Sequence, residues 1–96
     1  MDAQLPSPTV LVAAAKVSVA EDKPIYLDYF ADSLEKKCCI AVQPDNSKML
    51  LKSASEYTST IQSAVKCENC LIVATENSLY IVSATIPAKK IVSSSQ

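Results

Sequence analysis

The clearest pattern of apolar and polar positions is CLIVATENSLYIVSATI, residues 70–86. Two apolar runs rich in β-branched residues flank Glu76-Asn77-Ser78, and such side chains suit a pleated sheet. The pattern predicts a β-hairpin. In LYIVSATI, Tyr80, Val82, Ala84 and Ile86 share one face, while LIVA is apolar on both, as a strand covered on both sides is. The same punctuation recurs upstream. CCIAVQ (38–43) and KMLLKS (48–53) flank Pro44-Asp45-Asn46-Ser47. Pro presets φ and Asp and Asn bond their own backbone, so a second hairpin is expected. PIYLDYF (24–30) alternates Ile25, Leu27 and Tyr29 with Tyr26, Asp28 and Phe30. TVLVAAAKVSVA (9–20) has Val10, Ala13, Ala14 and Val17 at helical spacing, yet its valines, Thr9 and Ser18 favour a strand. It is expected to pair with 24–30 across the charged turn Glu21-Asp22-Lys23. ADSLEKK (31–37) reads as one helical turn or a loop. Lys66-Cys67-Glu68-Asn69 reads as a turn, and Pro87-Ala88-Lys89-Lys90 as the end of the sheet.

Residues 54–66, ASEYTSTIQSAVK, carry two patterns. Ser53 and Glu56 form a capping box, and Tyr57, Ile61, Ala64 and Val65 fall on one helical face. Read as a strand, Tyr57, Ser59, Ile61, Ser63 and Val65 alternate with Thr58, Thr60, Gln62 and Ala64, and the Ser, Thr, Ile and Val content suits a sheet. With the strand, the chain is mainly β, a small single-domain barrel or sandwich of six to seven short strands. With the helix, it is α+β, and the last two thirds reads β-β-α-β-β. In that element order it resembles the roadblock and longin-like dimerisation platforms. The expected organisation is a Pro-punctuated tail over 1–8, one β-rich domain over 9–90 and a Ser-rich tail over 91–96.

Composition narrows the chemistry. The 96 residues make one domain, and 49% hydrophobic content is ample for a core. Gly, His, Arg and Trp are all absent. Without Gly there is no phosphate-cradling loop, so P-loop and dinucleotide-binding classes are excluded. Without His the usual general base and the commonest metal ligand are missing. The net charge is −1, and base readout leans on Arg, so nucleic acid is not an expected partner. No run approaches the roughly 20 apolar residues of a membrane helix. The N-terminal apolar run is preceded by Asp2, Pro6 and Pro8 and there is no glycosylation sequon. The expected location is cytoplasmic or intracellular, with reduced thiols; a weak signal sequence is the other reading of that run.

Four cysteines, Cys38-Cys39 and Cys67-x-x-Cys70, offer half of a zinc site. Adjacent strand residues point to opposite faces, so Cys38 and Cys39 do not readily share an ion. The expected state is four free thiols, with no metal and no cofactor. A zinc- or thiol-stapled domain built on Cys38, Cys39, Cys67 and Cys70 is the alternative. Ser33-x-x-Lys36 and Ser63-x-x-Lys66 match a catalytic pattern, but Ser and Lys are so common here that matches arise by chance. Asp28 and Asp32, like Glu21-Asp22, read as solvated charge. No enzyme is expected. Tyr26, Tyr29, Tyr57 and Tyr80 sit among apolar strand residues, where tyrosine serves either core or interface.

The expectation is therefore a non-enzymatic structural or protein-interaction module, a size and composition that fit a small subunit of a viral or accessory assembly. Its partner would be a protein or a second copy joined through a sheet edge. The candidate edge is the uncharged strand 79–86, with Leu79, Tyr80, Ile81 and Val82 as contact residues.

Overall fold

The structure is a computed structural model and describes residues 5–53 and 55–91. The first four residues and the Ser-rich end, 92–96, lie outside it. The described residues form eight strands and two helices: α1 (Pro8–Glu21), β1 (Ile25–Tyr26), α2 (Phe30–Leu34), β2 (Cys39–Val42), β3 (Lys48–Ser53), β4 (Glu56–Tyr57), β5 (Ile61–Cys67), β6 (Cys70–Thr75), β7 (Leu79–Ser83) and β8 (Ala88–Lys90). They make a small β-rich domain of two four-stranded sheets, ordered β1-β7-β6-β5 and β4-β3-β2-β8, and neither closes into a barrel.

The first sheet is the middle layer. Val10 and Ala14 of α1 meet Phe30, Cys70, Ile72 and Ile81 on one face. Tyr29, Cys38, Leu50, Val73, Val82 and Ile86 fill the space between the sheets on the other. Strand β6 thus sends Ile72 one way and Val73 the other, both essentially dry, which explains its apolar run on both faces. The hairpins expected at 38–53 and 70–86 are present: β2 pairs antiparallel with β3, and β6 with β7. Tyr80, Val82 and Ile86 do share the face between the sheets.

The N-terminal third departs from the sequence reading. Residues 9–20 are helical, not the first strand of a hairpin, and β1 pairs in parallel with β7 instead. Ser7 and Pro8, read as part of a tail, open the helix. The Ser7 hydroxyl accepts the Val10 amide at 3.3 Å, and Pro8 occupies the first turn, where its missing N–H costs nothing. Asp22 closes it in the left-handed conformation, φ 56°. Burial of Val10 and Ala14 against the sheet overrides the weak helix propensity of valine; a fully buried Val alone contributes roughly 1.5–3 kcal/mol. The strand expected over 24–30 lasts two residues, and the chain then turns into α2, so adjacent Tyr29 and Phe30 enter different cores.

The alternative helix over 54–66 does not form. Its described residues give β4 and β5, separated by Thr58, whose amide and hydroxyl bond the Leu50 carbonyl (2.9 Å) and amide (3.0 Å). A register shift between Ile61 and Ser63 breaks the alternation read from sequence, so Ile61 faces the second sheet while Val65 lies on the α1 side. In place of the sheet end expected at Pro87-Ala88-Lys89-Lys90, Ala88–Lys90 forms a further strand, parallel to β2. No helix among the described residues is long and apolar enough to cross a membrane.

Candidate interaction surface

The four edges of the two sheets are unequal. Strands β1 and β4 have two residues each, and β8 carries Lys89 and Lys90. Short strands and lysines are the ordinary devices that keep edges from pairing. Strand β5 has seven residues, IQSAVKC, with Lys66 its only charge. It is hydrogen-bonded to β6 on one side, and Gln62 to Lys66 are exposed. Only its ends are covered, Cys67 beneath α1 and Ile61 by the second sheet, and between them Val65 is 52% exposed.

Strand 79–86, the edge candidate from sequence, sits elsewhere. Strand β7 lies between β6 and β1. Leu79, Ile81 and Val82 are fully buried and Tyr80 is half-buried, so the apolar residues expected to meet a partner are core. Beyond β1, Ser33 of α2 takes the Ser83 amide at 2.8 Å and closes the end of the strand. An uncharged strand is a property shared by edges and centres, and only its neighbours tell them apart.

The structure separates the thiols. Cys38 lies in the core between the sheets, whereas Cys67 and Cys70 lie under α1, across the first sheet. Cys39 begins β2 and is buried. Burial, reinforced by Asp32, pushes the Cys38 thiol up to about 11, and burial also raises Cys70. Neutral, apolar thiols are poor ligands and poor nucleophiles. No group of three or more His, Cys, Asp or Glu among the described residues is placed to hold a metal ion. Ser33 spends its hydroxyl on the Phe30 carbonyl (2.6 Å) and the Ser83 amide, and Ser63 is exposed on β5. Asp32 pairs with Lys52 at 3.1 Å.

Sequence reasoning missed the outer face of α1. Val12 and Val19 are 55% and 84% exposed, with Ala15 between them on the side opposite Val10 and Ala14. The helix is apolar all round with Lys16 as its one mid-helix charge, so no polar face announced it. The tyrosines gather at one end of the sheets. Tyr29 packs edge-on against Tyr80 (5.3 Å between centroids), and Tyr80 lies 5.8 Å from Tyr26. Tyr26, Tyr80 and Tyr57 line an open cleft with Asp28.

Comparison with protein-family models, with curated proteins and with solved structures gave no match for this chain.

Proposed function

We propose that this chain is a non-enzymatic protein-interaction module that pairs with a second copy of itself through β5. The observation that carries the reading is the contrast among the edges: three are short or lysine-bearing, and β5 is long and nearly uncharged. Edge-to-edge addition of two antiparallel β5 strands joins the two first sheets into one of eight strands, with backbone hydrogen bonds for affinity. The strand is self-compatible in charge. With Ala64 on the two-fold axis, Ser63 faces Val65 and Lys66 faces Gln62 of the other copy, so no two charged residues of β5 stand directly opposite; the ammonium on Gln62, Lys23 at 3.0 Å, is itself faced by Glu21 at 3.9 Å. The two-fold axis stands perpendicular to the joined sheet, so both α1 helices lie on the same side of it. The apolar outer face of α1 adds weight, since contiguous exposed apolar surface marks interaction sites on soluble domains.

Sedimentation equilibrium at several concentrations tests this. The wild type is expected to dimerise in the micromolar range, and Ala64→Lys with Val65→Lys to give a folded monomer by circular dichroism. A wild type that stays monomeric at several hundred micromolar, or a double variant that dimerises unchanged, overturns the reading.

A further inference from the structure

We infer that the cleft between β1, the β4–β5 link and the β6–β7 turn is a binding site for a quaternary ammonium group. The cleft measures about 370 Å³, at the small end of ligand sites, which run roughly 300–1,000 Å³. Tyr26, Tyr57 and Tyr80 line it from three different strands, and Asp28 stands among them. Aromatic faces arranged about a point attract a cation through their quadrupoles, and aromatic cages are how quaternary ammonium ligands are held.

The tyrosines are placed to be used. Tyr57 is 56% exposed and Tyr26 43% exposed, so neither ring is there to fill the core. The electrostatics favour a cation. Asp28 has no ion-pair partner among the described residues. It lines the same cleft as Tyr80, and after burial its charge is the next cause that raises the Tyr80 hydroxyl. Lys52, the ammonium that feels Asp32, Glu56 and Asp28, is held by Asp32 at 3.1 Å and over the Tyr29 ring, 4.5 Å from its centroid, outside the cleft lining. The protein therefore already seats one cation on this aromatic cluster, and Tyr29 touches Tyr80 edge-on. Lys23 reaches the cleft-lining Thr75 at its carbonyl oxygen (2.7 Å), with its own charge faced by Glu21 at 3.9 Å.

The walls are fixed before any ligand arrives. Thr75 and Ser78 lock the β6–β7 turn with the Thr75 amide donating to the Ser78 carbonyl at 2.9 Å and the Ser78 amide to the Thr75 hydroxyl at 3.2 Å. Thr58 is tied to Leu50 through its amide and hydroxyl. Such preorganisation lowers the cost of binding. The cleft is open to solvent, which selects the ligand. A plain ammonium or a metal ion keeps its tight hydration there, whereas a methylated ammonium is weakly hydrated and gives up little water to reach the rings.

The test is a titration of the intact chain followed by tyrosine ring signals in NMR, with choline, with its neutral tert-butyl analogue in which carbon replaces nitrogen, and with a peptide carrying trimethyllysine or unmodified lysine. Choline and the methylated peptide are expected to saturate at concentrations of about 1–10 mM or below, shifting Tyr26, Tyr57 and Tyr80. The neutral analogue and the unmodified peptide are expected to bind at least about fivefold more weakly. Tyr57→Ala and Asp28→Asn, both at exposed positions, should each weaken choline about threefold to tenfold. A methylated peptide much tighter than choline would place the group on a protein side chain; the reverse order would make it a free small molecule. Equal binding of the neutral analogue, or no change on Tyr57→Ala, overturns the inference.

Discussion

The Ser33 hydroxyl accepts the Ser83 amide at 2.8 Å and donates to the Phe30 carbonyl at 2.6 Å, in a fully buried position. One small side chain thus ties α2 to the end of β7 and satisfies a backbone N–H where β1 no longer covers the strand. Ser33→Ala removes the acceptor and leaves the Ser83 amide buried without a partner. Its expected cost is about 1–3 kcal/mol, read as a lower urea midpoint with unchanged slope.

Two substitutions to lysine separate core from surface. Ile81 is fully buried beneath α1, so Ile81→Lys places an unpaired charge in the core, at a cost of several kcal/mol against a total stability of about 5–15. The expected result is loss of the cooperative thermal transition. Val19, 84% exposed, should tolerate lysine within about 0.5 kcal/mol.

With no Gly in the chain, four of the described residues take the left-handed region: Asp22, Lys36, Asn46 and Glu68, with φ between 56° and 72°. Asp and Asn accept that conformation readily, whereas Lys and Glu pay roughly 1–2 kcal/mol for it. Glycine relieves the strain but adds freedom to the unfolded chain. Lys36→Gly is expected to stabilise by about 0.5–1 kcal/mol, measured by denaturant unfolding; Glu68→Gly should gain less, because it also removes the carboxylate that accepts the Ser7 hydroxyl at 2.6 Å.

Alkaline pH should unfold the protein through its buried acids. The Cys38 thiol moves from 9.0 to about 11 and the Tyr29 hydroxyl from 10.0 to about 12, both chiefly through burial. The folded state holds these protons longer than the unfolded one. Stability is therefore fully present below pH 9.0 and falls as pH rises towards about 11 for Cys38, with Tyr29 extending the loss from 10.0 to about 12. Urea midpoints across this range check the slope, and Cys38→Ser should flatten its lower part.

The sheet was legible where local chemistry decides it. Pro44 to Ser47 and Glu76 to Ser78 announce turns, and the runs beside them are β-branched, so both hairpins follow from sequence. Helix α1 was hidden because Val12, Ala15 and Val19 are as apolar as Val10 and Ala14, which erases the periodicity that would reveal it. The pairing of Ile25 with Leu79, and of Ile40 with Ala88, joins residues half the chain or more apart. No local pattern encodes such contacts. The cleft was half-visible: all four tyrosines stood out, but only the fold brings Tyr26, Tyr57 and Tyr80 around Asp28.

Those two distant parallel pairings also order the way the molecule comes apart. Strands β5, β6 and β7 follow one another through tight turns, so their bonds close short loops and form early. Strands β1 and β8 dock across long loops with two and three residues each, and Ala88 to Lys90 are exposed. Amide protons of Ile72, Val73, Ile81 and Val82 should therefore exchange only with global unfolding, while those of β8 exchange through a cheaper local opening. Slow amides in β8 would mean that the strand furthest along the chain is welded to the rest of its sheet.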